Sequence, residues 1–231
     1  MIRVILWDVD GTLLDFPAAE RAAITQSFAH FGLGECSPEQ VARYSDLNHS
    51  YWRKLEDGLI TKEQVLLGRF EEFFAREGID FHRVREFNDV YQVLLGETVC
   101  FMDHSYELIK SLRGKVRQYA VTNGTRVAQE KKLNKSGLIH LFDGVFISEL
   151  VGAEKPSPIF FDHVFSTIGP VDRGEVLIVG DSPTSDMRGG LNAGIRCCWY
   201  NPKGLSAPEG MKLDHIIENL NQVTDILAEY A

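Results

Sequence analysis

Two carboxylates stand two residues apart at the end of an apolar run: Val4-Ile5-Leu6-Trp7 leads directly into Asp8-Val9-Asp10-Gly11-Thr12. A buried strand cannot hold two anions without partners, so Asp8 and Asp10 belong at its carboxyl edge, where the chain leaves the sheet. Alone, the pair fits a turn with capping carboxylates equally well, since Asp-Gly is a common turn signal. Three further segments favour chemistry. Tyr119-Ala120-Val121 ends in Thr122-Asn123-Gly124, and Val176-Leu177-Ile178-Val179 ends in Gly180-Asp181-Ser182. Between them, Glu154-Lys155-Pro156-Ser157-Pro158 sets a cation in a loop whose prolines keep it out of helix. Ligands of open α/β sheets gather at the carboxyl ends of strands, so the four polar clusters are expected on one edge.

The elements that must position these groups change character along the chain. From about residue 17 to 96 the pattern is helical. Ser37-Pro38-Glu39-Gln40 and Thr61-Lys62-Glu63-Gln64 read as capping boxes, and Gly58 and Gly78 as helix closures. Asp80 is expected to open a fourth helix carrying Val84, Phe87 and Tyr91 at helical spacing. The aromatics Phe70, Phe73, Phe74, Phe81, Phe87 and Tyr91 are expected to form the core of this bundle. From Cys100 onward strands alternate with helices, with strands expected over 118–122, 145–148, 176–179, 195–200 and around 215–217. A helix is expected over 184–193. Such alternation predicts an α/β fold, a doubly wound parallel sheet with helices on both faces. The first strand must join that sheet. The expected organisation is therefore a discontinuous catalytic core of residues 1–16 plus 97–231 and an inserted helical cap of residues 17–96, hinged near 16–18 and 95–99.

Bulk properties narrow the partners. A chain of 231 residues with 44% hydrophobic content can bury a substantial core. Its net charge of -9, without a basic block, argues against nucleic acid or an anionic membrane as partner. Cys36, Cys100, Cys197 and Cys198 show no Cys-x-x-Cys spacing and read as reduced thiols, which points to a cytoplasmic location. The apolar N-terminus is too short for a signal-peptide core, and no run approaches membrane-spanning length. The seven histidines offer no ligand spacing.

Taken in order, Asp8-Val9-Asp10-Gly11-Thr12, Thr122-Asn123-Gly124, Lys155 and Gly180-Asp181-Ser182-Pro183-Thr184-Ser185-Asp186 resemble the four motifs of the haloacid dehalogenase superfamily of phosphohydrolases. The match spans nearly the whole chain. Within that superfamily, the stretch from Trp7 to Phe16, Leu47-Asn48-His49-Ser50-Tyr51-Trp52 and Cys198-Trp199-Tyr200-Asn201-Pro202 resemble the pyrimidine 5'-nucleotidase branch. The resemblance implies Asp8 as nucleophile, a role an ionised carboxylate can fill by attacking phosphorus to give an aspartyl-phosphate. Asp10, on the same face, would protonate the leaving oxygen and later deprotonate water. Lys155 would neutralise developing charge, while Gly11, Thr122 and Asn123, with neighbouring amides, would cradle the phosphate.

Repulsion among Asp8, Asp10 and Asp181 calls for a divalent cation, and all-oxygen ligation favours Mg2+ over zinc. The resemblance assigns it the carboxylates of Asp8 and Asp181 and the backbone carbonyl of Asp10. Ser182 and Ser185 are expected around it as hydrogen-bonders; Asp186 either joins the metal and its waters or caps the following helix. Phe16, Asn48, Tyr51 and Trp52 are candidates for contacting the organic part of the substrate. The implied activity is Mg2+-dependent hydrolysis of a small-molecule phosphomonoester, a pyrimidine or deoxyribose nucleoside 5'-monophosphate. The alternatives are a phosphatase of phosphoglycolate or sugar phosphates, a phosphomutase, a carbon-halogen hydrolase, or a binding protein without turnover. Asp10 disfavours the halide reaction, which needs no leaving-group proton.

Overall fold

The structure is a computed structural model that describes residues 1–230. Six parallel strands form one sheet in the order β3-β2-β1-β4-β5-β6. They are β1 (Val4–Trp7), β2 (Arg117–Thr122), β3 (Gly144–Ile147), β4 (Val176–Gly180), β5 (Arg196–Tyr200) and β6 (His215–Ile217). The two central strands are fully buried and apolar, the composition that a sheet covered on both faces requires. Trp7 pairs with Ala120 of β2 on one side and with Val179 of β4 on the other. Their continuations therefore emerge side by side: Asp8 from β1, Thr122 from the end of β2, and Gly180-Asp181 from β4. The chain order reverses between β1 and β4, the switch point where open sheets leave a crevice.

Helices α5 (Ser105–Leu112), α6 (Arg126–Ser136), α7 (Ser148–Val151), α8 (Pro158–Ile168), α9 (Arg188–Ala193) and α10 (Gln222–Glu229) accompany the sheet. One buried cluster joins Trp7, Leu108, Leu133 and Val223; a second joins Leu6, Phe161, Met187 and Trp199. β1 supplies both, because successive side chains of a strand point to opposite faces.

Four helices separate β1 from α5: α1 (Phe16–Phe31), α2 (Pro38–Glu56), α3 (Lys62–Glu77) and α4 (Val84–Leu95). Both capping boxes form, with the Ser37 and Thr61 hydroxyls accepting from the Gln40 and Gln64 amides and each glutamine returning to the cap backbone. Gly78 closes α3 in the left-handed conformation. Phe28, Tyr44, Phe70, Phe73, Phe74, Phe87 and Tyr91 pack into a core of their own, with Phe81 packed against it. Tyr44 stacks on Phe70 with centroids 5.3 Å apart. Ala128 of α6 belongs to the same cluster, so the bundle sits directly on the helix that follows the Thr122-Asn123-Gly124 turn.

Two expectations are corrected. The fourth helix begins at Val84, not at Asp80, whose carboxylate instead pairs with His82 at the surface, 3.0 Å away. The helix expected over 184–193 is split: Pro183–Met187 form a wide π turn before α9. The Asp186 and Met187 amides both bond the Ser182 carbonyl, at 3.0 and 3.1 Å. Among the described residues no helix is long and apolar enough to cross a membrane.

Gly190 of α9 lies against the sheet so closely that a Cβ there would stand 2.6 Å from Ile178 Cγ2 and 2.7 Å from Cys197 Sγ. Gly190→Ala is expected to destabilise the fold by about 1–3 kcal/mol, the usual cost of overpacking. Urea denaturation should show a lower midpoint at unchanged slope; an unshifted midpoint would show that α9 yields freely.

Candidate active site

Lys155 is the centre of the crevice. Its ammonium, on a residue only 1% exposed, donates to Asp8 Oδ1 (2.7 Å), Asp186 Oδ1 (2.6 Å) and the Val121 carbonyl (2.7 Å), so all three protons are used. Asn123 fixes the backbone behind it. The Lys155 amide donates to Asn123 Oδ1 (2.8 Å), while Asn123 Nδ2 donates to the Lys155 carbonyl (2.8 Å) and to Ser185 Oγ (3.2 Å). The Asn123 side chain is thus committed to Lys155, which leaves backbone amides of its loop, not this side chain, for a phosphate. Thr122 ends β2 and is buried beside this loop.

Thr12, read from sequence as structural, ties β1 to β4. Its hydroxyl donates to Asp8 Oδ2 (2.9 Å) and receives the Asp181 amide (3.0 Å). Gly11, directly after Asp10, has φ +89°, and a Cβ there would lie 2.5 Å from Asp181 Oδ2. Both the turn and the close approach of Asp181 require glycine. Gly180 plays the matching part for Asp186, whose carboxyl carbon would be 2.3 Å from an added Cβ.

Asp8, Asp181 and Asp186 offer carboxylate oxygens that all lie within 4.8 Å of one another. Burial, then the charge of Asp186, pushes the Asp8 carboxyl up to about 7 despite Lys155. Burial, then Asp8 and Asp186, holds Asp181 well above the ordinary carboxylate value, and burial raises Asp186 against the pull of Lys155. Burial by itself would lower Lys155, but Asp186 and Asp8 outweigh it and raise it. Asp186 is already bonded through both oxygens, to Lys155 and to the Ser182 amide (3.1 Å), whereas among the described residues the side-chain donor beside Asp181's carboxylate is the Thr12 hydroxyl at 3.4 Å, whose proton lies nearer Asp8. Ser182 Oγ in turn accepts the Ser185 amide at 3.1 Å.

Asp10 faces a pair of residues that its sequence neighbourhood did not reveal. Gln129 Nε2 donates to Asp10 Oδ2 (2.6 Å) and the Lys132 ammonium to Asp10 Oδ1, both from α6. The four aspartates of the crevice thus meet two buried lysines, and the ionised cluster is two charges short of neutral. A divalent cation among hard oxygen ligands fits that deficit. The signal for α6 lay in Gln129 and Lys132, a polar pair at i, i+3 spacing on one face of a helix, but nothing local said that the face was buried.

The bundle reaches the crevice from above. Glu56, at the end of α2, accepts from Thr184 Oγ1 (2.5 Å), and Asp57 pairs with Arg188 (3.0 Å). Lys62, at the start of α3, donates to the Gly124 carbonyl (3.0 Å) and Ser148 Oγ (2.8 Å). Thr184 and Arg188 follow β4, while Gly124 and Ser148 follow β2 and β3, so the connection 57–61 crosses the sheet edge above β1. Burial raises the Glu56 carboxyl and lowers the Lys62 ammonium.

The four residues expected to meet the organic part of a substrate stand on two helices, Phe16 on α1 and Asn48, Tyr51 and Trp52 on α2. Phe16 opens α1 with its ring 5.9 Å from Lys132 Nζ, adjacent to Asp10's partners. Asn48, by contrast, is 1% exposed inside the bundle, where it donates to Glu20 Oε1 (2.6 Å) and accepts from Arg69 Nη1 (2.7 Å). That corrects the expectation for Asn48: the spacing of Tyr44, Leu47 and Asn48 puts it on the buried face of α2. Tyr51 donates to Glu72 Oε2 (2.7 Å) on α3, and Trp52 is half-buried. Surface clefts of about 610 and 440 Å³ border α2 and α3, but neither is lined by any of the four aspartates. Convergent charge marks the site better than volume does.

Comparison with known proteins agrees with this geometry. Residues 5–200 match the family model for haloacid dehalogenase-like hydrolases. The chain resembles the pyrimidine 5'-nucleotidase PynA of Streptococcus pneumoniae, 34% identical over 208 residues (88% of this chain, 85% of PynA). It also resembles the pyrimidine 5'-nucleotidase YjjG of Escherichia coli, 29% identical over 226 residues and 98% of both chains. The crystal structure of YfnB from Bacillus subtilis, bound to magnesium and described as revealing interdomain movement, superposes with a TM-score of 0.92 at 33% identity, covering 98% of each chain. The chain belongs to the haloacid dehalogenase-like hydrolases and is an enzyme of phosphatase type.

Gly11→Ala should leave the protein folded but displace Asp181, with turnover falling about 100-fold or more, the scale of a 1 Å misplacement at a reacting centre. Near-wild-type turnover in a correctly folded variant would show that the contact with Asp181 is slack. The raised carboxyls also set a pH dependence for chelator-treated protein. Between the ordinary value of 3.8 and about 7, the folded chain binds more protons at Asp8 than the unfolded chain does, so stability falls as pH rises through that window. Thermal unfolding in chelator should give a lower midpoint at pH about 7.5 than at about 5, and added Mg2+ should raise the former by binding only the folded, ionised site. A midpoint that climbs with pH in chelator would contradict this.

Proposed function

We propose that the protein is a Mg2+-dependent phosphomonoesterase that works through an aspartyl-phosphate on Asp8 and takes pyrimidine or deoxyribose nucleoside 5'-monophosphates. The observation that carries the reading is the Lys155 ammonium seated between Asp8 and Asp186, with Asp10 held two residues further on. An Asp8 oxygen attacks phosphorus, the ester P–O bond breaks, and Asp10 gives its proton to the leaving oxygen. Water then attacks the phosphoryl group, its proton passes to Asp10, and the bond from phosphorus to Asp8 breaks to release inorganic phosphate. Lys155 keeps its charge throughout and steadies the phosphoryl oxygens as negative charge builds. Amides around Gly11 and Asn123, with Thr122, are the phosphate donors.

Asp8 and Asp181 would hold Mg2+ through carboxylates and Asp10 through its backbone carbonyl, with Ser182, Ser185 and Asp186 around them. Bound there, the cation would cancel the two surplus negative charges and polarise the phosphoryl oxygens. Residues 17–96 act as the cap, and the 57–61 connection closes over residues 1–16 and 97–231. The nucleotide preference draws on the kinship with PynA and YjjG, proteins named as pyrimidine 5'-nucleotidases. A carbon-halogen hydrolase has no alkoxide to protonate, so an Asp10 held by two donors would have no task.

Phosphate release should require Mg2+ and fall below detection in Asp8→Asn. Across a panel of pyrimidine and purine 5'-monophosphates, phosphoglycolate and hexose phosphates, kcat/KM should be highest for the pyrimidine and deoxyribose members. Turnover by Asp8→Asn would remove the nucleophile, and a flat panel would remove the nucleotide label while leaving the phosphatase.

A further inference from the structure

Building on the reading of Asp10 as acid and base, we propose that Gln129 and Lys132 of α6 are positioning residues that hold the Asp10 carboxylate in its working orientation. Asp10 lies just past the end of β1, in the Asp10-Gly11 turn, and 20% of its side chain is exposed. Left to itself a carboxylate there would sample several rotamers. Two donors on one helix face select one of them: Gln129 Nε2 holds Oδ2 and the Lys132 ammonium holds Oδ1. Each oxygen keeps a second lone pair for a proton or for water.

Lys132 is 1% exposed, and its one ion pair among the described residues is with Asp10, so the contact is an obligatory pairing and not a surface accident. Lys155 has two carboxylates to serve, whereas Lys132 serves Asp10 alone.

An independent observation comes from Gly124. Its φ is not positive, so the turn itself does not demand glycine. A Cβ at that position would stand 2.1 Å from Gln129 Nε2 and 2.5 Å from Gln129 Cγ. The glycine of the Thr122-Asn123-Gly124 turn is therefore the space that Gln129 occupies on its way to Asp10. Among the described residues Gln129 Oε1 is buried with no partner, as expected of an amide oriented by the carboxylate on its nitrogen side alone. The platform is firm. Thr125 caps α6 and donates to Gln92 Oε1 of α4 (2.8 Å), and Ala128 is part of the bundle's core.

The test separates the two half-reactions. An aryl phosphate such as p-nitrophenyl phosphate releases a stable phenolate without needing a proton, so Asp8 is phosphorylated without help from Asp10. Hydrolysis of the aspartyl-phosphate still needs Asp10 as base. In Lys132→Met and Gln129→Leu, rapid mixing with this substrate and Mg2+ should show the first turnover near the wild-type rate. The steady state that follows should be slower, so that the ratio of burst to steady-state rate rises about 10- to 100-fold, within the range general acid-base catalysis supplies. Acid-quenched protein should carry phosphate on Asp8. With an alkyl 5'-monophosphate, whose leaving oxygen needs a proton, both phases should slow.

Gly124→Ala, which keeps both side chains but displaces Gln129, should slow the steady state as Gln129→Leu does, and Gln129→Leu carries the burst test if Lys132→Met fails to fold. Wild-type steady-state rates in the folded variants would overturn the proposal. So would a parallel fall in burst amplitude and steady rate, which marks a mere loss of folded molecules. Asp10→Asn serves as the reference: unimpaired turnover there would mean that the reading of Asp10 had failed, and an active Asp8→Asn that the phosphatase mechanism had.

Discussion

A single ammonium, that of Lys155, makes the rest of the crevice possible. Three aspartates with oxygens mutually within 4.8 Å cannot share a buried pocket without compensation, and Lys155 touches two of them while using its third proton on the β2 carbonyl of Val121. The charge is placed by backbone as much as by side chain. Asn123 grips the Lys155 amide and carbonyl together, so the loop before α8 is registered against the end of β2. The pocket remains negative even so. That residual charge connects an otherwise costly arrangement to function, because it is the state that a divalent cation would neutralise.

Around this centre, glycines mark where polar side chains approach the backbone. Gly11 yields to Asp181, Gly180 to Asp186 and Gly124 to Gln129. Each vacancy lies within or beside a motif that sequence patterns recognise, and each has a steric cause visible only with the partner in place. Two of the three do not need a positive φ at all, which separates room for a neighbour from freedom for the chain.

The helical bundle is attached through both polar and apolar contacts. Its aromatic core continues onto Ala128 of α6, while Glu56, Asp57 and Lys62 bond groups that follow β2, β3 and β4. Inside it, a buried chain of polar side chains runs from Glu20 through Asn48, Arg69, Asn88 and Gln92 to Thr125. The Arg69 guanidinium lies over the Phe70 and Tyr91 rings, 4.7 and 5.0 Å from their centroids. A network of this kind specifies how α1 to α4 fit together, since an unpaired member would be expensive in an apolar core. Asn48 is the instructive case: a motif-like stretch suggested substrate contact, and burial among Glu20 and Arg69 gives it a structural task instead.

Local physics decided much of this protein from sequence alone. The apolar runs of β1 and β4, the alternation of strands and helices and the two capping boxes are short-range signals, and each names its element without reference to the rest. The convergence of Asp8, Asp181, Asp186 and Lys155 on one edge was legible too, because polar groups stand where the apolar runs stop and two prolines keep Lys155 in a loop. What needed the tertiary structure was every fact set by a partner far along the chain. Lys132 stands 122 residues from the Asp10 it holds, and in sequence it is one more charged residue on a polar helix. The start of α4 at Val84, after Phe81 has packed against Phe31 and Phe74, and the π turn at Pro183–Met187, where Asp186 meets Lys155, likewise involve distant partners. Periodicity reports which face of a helix is apolar; it cannot report which polar side chain the fold will bury, because the energy of burying a charge depends on a counter-charge that only folding brings near.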